Sequence, residues 1–534
     1  MTESQRNRIR DTKSICPQCN RVIDAEIFEK DGKVFIEKEC PEHGKFDDLY
    51  FGSYEMFTRF DKFQHDGKKS ENPNVCSESC PNSCGLCPTH RGGTLLANIM
   101  LTNRCDLACW YCFAYAKKEN YVYEPSQEQL REMLRLLRKE KPVPTNAVQF
   151  TGGEPTLRKD LVEIIRMAKD EGFDHVQLNT NGINLSQDPV LASKIRENGV
   201  NTIYLSFDGV SEQTNPKNHW EIPGVLKNCR ANGIGIVLVP TVIRNRNDHE
   251  IGDILRFGFR NIDVVRGINY QPVSLVGRMP REEREKCRIT IPDVIEKIEE
   301  QSGGAVSRKD FYPVPTVVPI THLVEALKGT PQYEFSCMPA CGAATYIFQE
   351  GEGESARLIP ITRFVDVDGL MEATQKAADE IQSSRIKSMR KILEITKLAT
   401  SISRYIDKEK EPKGLNLSGI LVDIIKNRGD YQSLARFHHK ALFVGMMHFQ
   451  DKYNYDIERV KRCVIHYATP DNRIIPFCAF NVIPEIYRDA IQKRYSLSLD
   501  EWKEKSGKSL DEDFYKRDVE KLRATEEYRQ TYGS

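Results

Sequence analysis

The stretch ANIMLTNRCDLACWYC, residues 97–112, runs an apolar, β-prone segment directly into three cysteines. Cys105, Cys109 and Cys112 are separated by three and then two residues. A disulfide between such near neighbours closes too small a loop to stabilise much, whereas thiolates at this spacing hold metal. Three of them can cap three irons of a 4Fe–4S cube and leave the fourth iron open to a substrate or cofactor. A three-cysteine zinc loop is the competing use of the same residues. Outward from this stretch, apolar runs recur at 147–152, 174–180, 202–207, 234–242 and 262–271. Helical segments fall between them at 126–140, 158–171, 188–198, 223–232 and 248–260. This alternation predicts an α/β fold, a parallel sheet with right-handed crossovers. Six such units predict a partial (β/α)6 TIM barrel with its chemistry at the carboxyl ends of the strands.

Those ends are polar. The second strand runs into Thr151-Gly152-Gly153-Glu154-Pro155, the third into Asn179-Thr180-Asn181-Gly182 and the fourth into Ser206-Phe207-Asp208-Gly209. Paired glycines permit close approach of the backbone to a ligand, and Glu154 offers an acceptor for an ammonium group. One polar strand end is ordinarily a loop or helix cap; the coincidence of several carries the weight. The cysteine spacing, Tyr111 before the third cysteine and the segment Gly152–Pro155 together resemble the radical S-adenosylmethionine (SAM) superfamily. The resemblance implies SAM as cofactor, held at Gly152, Gly153, Glu154, Pro155, Asn179, Asn181, Ser206 and Asp208. It also implies a low-potential cluster on Cys105, Cys109 and Cys112 that cleaves SAM reductively to a hydrogen-abstracting 5′-deoxyadenosyl radical. No catalytic residue beyond that cluster is assigned.

Ten of the sixteen cysteines lie in the first 112 residues. Cys76, Cys80, Cys84 and Cys87 sit within twelve residues and predict an auxiliary 4Fe–4S cluster, with zinc as the alternative. Cys16 and Cys19, then Cys40 and His43, form two short-gap pairs suited to one tetrahedral ion. Rubredoxin-like iron and a zinc ribbon both accept that set. Cys337, Cys341, Cys463 and Cys478 are dispersed, and a second auxiliary cluster would use all four; buried free thiols are the alternative. Cys229 and Cys287 read as ordinary thiols. The expected cofactors are therefore three 4Fe–4S clusters, SAM and one mononuclear Fe or Zn. The expected organisation is a mononuclear-metal unit at 1–75, an auxiliary-cluster segment at 76–96 and the barrel at 97–290. An α+β auxiliary-cluster domain at 291–534 would complete it, with a helical stretch from Gly369 to Lys408 that is unusually long for a globular helix and open to a kink.

Composition narrows the class further. The chain has 534 residues, 77 Lys plus Arg against 77 Asp plus Glu, and 39% hydrophobic residues. A zero net charge gives no electrostatic case for nucleic acid. No apolar run is long enough for a transmembrane helix, and the N-terminus lacks a secretory h-region, so a cytoplasmic location is expected.

Beyond the superfamily, the CPQC and CPEHG pairs, the cysteine-rich segment before residue 96 and the stretch PFCAFN near residue 478 resemble the tetraether lipid synthase family. That resemblance implies hydrogen abstraction from terminal methyl groups of archaeal isoprenoid chains and their coupling through an sp3 carbon–carbon bond. It implies an archaeal diether lipid substrate, transient membrane contact and a reduced ferredoxin- or flavodoxin-type electron donor. Little in the residues independently indicates lipid. Met446, Met447 and Phe449, with Ile420, Leu421, Ile424 and Ile425, suit a hydrophobic groove and equally a plain core. The alternatives are a radical SAM peptide maturase with auxiliary clusters, a radical SAM methyltransferase or tRNA-modifying enzyme, and a non-catalytic iron–sulfur scaffold.

Overall fold

The computed structural model describes residues 6–75, 79–112, 114, 120–276, 281–351, 356–384, 387–426 and 440–533. Two main sheets organise them. Asn7–Ile15 (β1), Val22–Lys30 (β2), Lys33–Cys40 (β3) and Gly44–Phe51 (β4) form an antiparallel meander. The β2–β3 turn is Asp31-Gly32, both at positive φ (51° and 73°), the turn whose twist matches its flanking strands. Alternation puts Ala25, Ile27, Val34 and Ile36 inside with Tyr50 and Phe51. Met56, Phe57 and Phe60 of the helix Tyr54–Asp61 join the same cluster.

The larger sheet contains all six expected strands as Leu96–Thr102 (β5), Ala147–Gly152 (β6), His175–Thr180 (β7), Thr202–Ser206 (β8), Gly235–Val239 (β9) and Val265–Pro272 (β10). They pair parallel in chain order. Two strands from far downstream extend the parallel run. Leu442–Met447 (β12) pairs with β10, and Ile465–Thr469 (β13) pairs with β5. Antiparallel strands Gly342–Glu350 (β11) and Arg473–Pro476 (β14) lie beyond them. Among the described residues no pairing joins the two outer edges, so the barrel is open. Met446 lies in the sheet core with Leu442 and Val444, because β12 is an interior strand.

The long helix expected from Gly369 is two. Val367–Ser383 and Lys387–Ser401 are separated where Ser384 takes extended backbone (φ −74°, ψ 135°). Ser383 and Ser384 are poor helix formers that bond back to the chain, as the Ser383 hydroxyl does to the Asp379 carbonyl at 2.8 Å. Folding back buries Ala377, Ala378, Ile381 and Leu398 against Leu323 and Leu327, which one straight helix would leave in part to solvent.

A buried polar seam ties the small sheet to the large one. Arg288 reaches Asp48 of β4 at 2.7 Å and Asp451 at 2.5 Å. Asp456 accepts from Thr12 at 2.6 Å and from Tyr50 at 2.7 Å. The Lys38 ammonium donates to the Ser14 hydroxyl at 2.9 Å and the Lys452 carbonyl at 2.7 Å, and burial brings it down to about 7. Burial alone would raise the Asp451 carboxyl; the Arg288 guanidinium overrides it and holds it at about 2. Arg288→Met strands two buried carboxylates and is expected to cost about 3–5 kcal/mol of unfolding free energy. The contribution of Asp451 is present above an ordinary carboxylate value of about 4 and is lost as pH falls through the folded value. Denaturant titrations from neutral to acid pH should therefore show the wild type losing its advantage over Arg288→Met as pH drops.

Candidate active site and metal centres

The cysteine loop leaves the carboxyl end of β5, and two glycines fasten it to β6. The Gly153 amide donates to the Thr102 carbonyl at 2.8 Å, and the Glu154 amide to the Arg104 carbonyl at 2.7 Å. A Cβ on Gly152 (φ +148°) would lie 2.3 Å from the Thr102 carbonyl oxygen, and one on Gly153 only 2.0 Å from that of Arg104. The pair therefore serves backbone contact with the cysteine loop itself. Burial first holds Cys105 well up as a thiol and raises Cys109. Asp106, Glu154 and Cys112 add to it at Cys105, and Cys112 adds to it at Cys109. Three part-buried thiols in one another's field form a donor set that fits a thiolate-bound cluster with an open iron.

Glu154 is fully enclosed. Its Oε1 accepts from the Thr156 amide and hydroxyl at 3.0 and 2.6 Å and from the Thr180 hydroxyl at 2.8 Å. Its Oε2 accepts from the Asn181 amide at 2.8 Å. Burial, then the neighbouring Asp106, raises its carboxyl to about 7. This side chain clamps the ends of β6 and β7 together, and Pro155 begins the short helical turn beneath it. The Asn181 amide group donates to Asp106 at 2.6 Å, and Asn179 approaches Thr151 at 3.4 Å. The Ser206 carbonyl accepts from Asn218 at 2.7 Å. Asp208 accepts from the Thr241 amide at 3.0 Å, pairs with Lys217 at 2.7 Å and accepts from the Tyr111 hydroxyl. Every predicted strand end thus borders the cysteine loop.

Sequence reasoning missed the partners supplied from a distance. Arg104, beside Cys105, makes a bidentate pair with Asp513 at 2.8 Å for both bonds, and both side chains are buried. The Tyr515 amide donates to the Asp106 carbonyl at 3.2 Å. The C-terminal tail thereby holds both neighbours of Cys105, and a cleft of about 650 Å³ opens between Asp106, Leu157, Asn184 and residues 511–516. No local signal marks Asp513, which is 409 residues from its partner. Lys217, which lowers the Cys109 thiol against its burial, is equally silent in sequence.

The remaining cysteines gather in three places. Cys16 Sγ lies 3.6 Å from His43 Nδ1, Cys40 Sγ 3.5 Å from it, and Cys19 Sγ 4.0 Å from Cys40 Sγ. All four ligand atoms lie within 4.8 Å of one another, the spacing of a mononuclear site. Cys80, Cys84 and Cys87 cluster beneath Tyr487, whose hydroxyl accepts from the Cys84 amide at 2.9 Å. Cys76 lies outside the described residues. Cys337, Cys341, Cys463 and Cys478 meet where the two outer edges of the open sheet approach. Arg459 stands among them, buried, donating to Cys341 Sγ at 3.3 Å and to the His448 carbonyl at 2.7 Å. Among the described residues it has no carboxylate at ion-pair distance. Neutral thiols would leave that guanidinium uncompensated, so the set fits thiolates bound to iron. Cys229 and Cys287 are buried away from these groups and have their thiols raised by burial.

A family model described as "Radical SAM superfamily" matches residues 99–258. A curated protein of Methanocaldococcus jannaschii, 7,8-dihydro-6-hydroxymethylpterin dimethyltransferase, is 47% identical over 500 residues, 92% of this chain and 96% of its own length. The chain belongs to the radical SAM superfamily, in the family of that protein. A model described as "HMPTM N-terminal zinc ribbon domain" matches residues 8–52. The GTP 3′,8-cyclase of Aquifex aeolicus is 32% identical over 33% of this radical SAM chain and 57% of its own length. Methylornithine synthase, a solved structure, aligns with a TM-score of 0.32 at 16% identity over 40% of this chain and 64% of that one.

These findings overturn the expected lipid chemistry. The relative that spans nearly the whole chain is named for a pterin and for methyl transfer. Tetraether coupling, the diether lipid partner with its membrane contact and the peptide-maturase alternative give way to it. The resemblance to tetraether synthases rested on cysteine-bearing flanks, and metal-holding segments report on the metal rather than on the substrate. Among the described residues no helix is long and apolar enough to cross a membrane.

Gly153→Ala is expected to displace the Cys105 loop, lowering bound iron and abolishing SAM cleavage while far-ultraviolet circular dichroism is retained. Gly93→Ala, where a Cβ meets open space, should leave iron content and cleavage unchanged.

Proposed function

We propose that this chain is a radical SAM methyltransferase acting on a reduced pterin that bears a hydroxymethyl group, replacing carbon-bound hydrogen with methyl at two positions. The observation that carries the reading is the 47% identity extending over 92% of the chain and 96% of the relative's length. The cleft beside Asp106 supports it, being of a size suited to a small heterocycle or nucleoside.

Cys105, Cys109 and Cys112 would hold a 4Fe–4S cluster, which would supply the electron for reductive cleavage of SAM and so the means of hydrogen abstraction. The chain's own part is to position. Gly152–Pro155, Asn179, Asn181, Ser206 and Asp208 line the SAM side of the site in this reading. The enclosed Glu154 keeps the backbone of that segment in place and leaves its carbonyls to meet the SAM ammonium group. Asp208, through Tyr111 and Lys217, steadies the loop between Cys109 and Cys112. Cys76, Cys80, Cys84 and Cys87 would hold one auxiliary cluster, and Cys337, Cys341, Cys463 and Cys478 a second. Cys16, Cys19, Cys40 and His43 would hold zinc, as the match to a zinc ribbon supports. The division into 1–75, 76–96, 97–290 and 291–534 follows these metal sets, although strands from the last segment complete the sheet.

Anaerobic turnover with SAM, a reductant and 7,8-dihydro-6-hydroxymethylpterin should yield pterin heavier by one and then two methyl-for-hydrogen replacements in mass spectrometry, together with 5′-deoxyadenosine. SAM labelled in its methyl group would show whether it is also the methyl donor. Deoxyadenosine with an unaltered pterin would overturn the substrate. Cys478→Ser is expected to remove one cluster equivalent of iron while SAM still binds, which iron analysis of the reconstituted protein checks.

A further inference from the structure

Three side chains outside all of the sites above converge from separate segments. His65 lies on the segment leading to residue 76, His322 on the helix Val318–Lys328, and Glu334 three residues before Cys337. One ligand atom from each lies within 4.8 Å of the others. His322 Nε2 is 3.2 Å from Glu334 Oε1, and His65 Nε2 is 4.0 Å from the same oxygen. Ligand atoms on a tetrahedral zinc with bonds of about 2.1 Å stand roughly 3.4 Å apart, so the first pair is near its place and His65 need move only slightly.

The hydrogen bonding orients His322 toward that carboxylate. His322 Nδ1 lies 2.8 Å from Gln375 Oε1, a contact that requires Nδ1 to carry the proton, since the amide oxygen only accepts. Nε2 then faces the carboxylate oxygen, as an imidazolium N–H that Glu334 favours or, once that proton leaves, as a bare acceptor whose lone pair a metal ion can take in the proton's place. Gln375 thereby acts as the outer partner that orients a ligating imidazole. Glu334 supplies the charge. Although burial opposes it, its contacts with His322, His65 and Lys68 keep it ionised far below the usual carboxylate range. Lys68 Nζ serves as that carboxylate's cation at 2.6 Å, and it also reaches Glu325 at 2.8 Å, so it has a second partner to retain.

We infer that His65, His322 and Glu334 form a binding site for a borderline divalent cation such as zinc. Two imidazoles and one carboxylate suit that class of ion, and the half-exposed His65 leaves a path for entry and room for water as a further ligand. The ion and the Lys68 ammonium compete for Glu334. Its effect would be to staple the approach to Cys76 onto the approach to Cys337, joining the peptide segments that precede two of the thiol sets. The inference stands independently of the substrate proposed above.

The test is titration of cobalt(II) into anaerobically reconstituted full-length protein whose thiol sites are already filled. One equivalent should bind with visible d–d absorption and without the near-ultraviolet sulfur-to-cobalt band that thiolate ligation produces. His65→Gln and Glu334→Gln, checked for unchanged cluster absorbance, should each weaken binding at least tenfold. Lys68→Met, which removes the competitor, should tighten it. Cobalt binding that is absent, insensitive to His65→Gln and Glu334→Gln, or weakened by Lys68→Met would overturn the site.

Discussion

The chemistry of this protein depends on one close backbone contact. The loop that carries Cys105 has no regular structure of its own, and its carbonyls at Thr102 and Arg104 are met by the amides of Gly153 and Glu154 at 2.8 and 2.7 Å. A Cβ on Gly152 or Gly153 would run into those same two carbonyl oxygens. The enclosed Glu154 then draws β7 into the same junction through Thr180 and Asn181. The ends of three adjacent strands are thus registered on one loop, and a radical SAM site requires that registration, because a loosely held thiolate cannot keep an open iron aimed at its ligand.

An open barrel brings a second problem, two sheet edges with unpaired backbone. The chain meets it with its own distant segments. β12 and β13 extend the parallel sheet on opposite sides, and antiparallel β11 and β14 cover them. The four dispersed cysteines collect where those edges approach, around the buried Arg459. A cation there, with thiols and carbonyls for company, makes charge balance the reason that the edges meet in one arrangement. The small N-terminal sheet is anchored in the same manner, through Arg288 between Asp48 and Asp451. Buried charge, matched across segments that hydrophobic packing alone would leave free to slide, recurs as the device that sets the relative placement of the parts.

Much of this was legible from local pattern. The six strands were placed within a few residues, because apolar runs flanked by amphipathic helices leave little choice of fold class. The separation of cysteines into short-gap sets was equally clear, and Cys16, Cys19, Cys40 and His43 do come together. Gly152 and Gly153, expected to allow a close backbone approach, do stand at one, and the partner seen there is the cysteine loop. The long helical stretch from Gly369 divides into two helices because Ser383 and Ser384 end the first and folding back buries more apolar surface than a straight rod would. The lipid reading failed because it took its substrate from segments whose residues serve metal.

The sequence by itself determined the Cys105, Cys109 and Cys112 triplet, the α/β class and the grouping of most of the other cysteines, since each depends on residues a few positions apart. Tertiary structure alone decided that Asp513 holds Arg104, that Cys341 meets Cys463 and Cys478, and that His65, His322 and Glu334 share one point. Those contacts join residues tens to hundreds of positions apart, and no periodicity or spacing encodes them. They exist only once the sheet has set its edges and its tail in space.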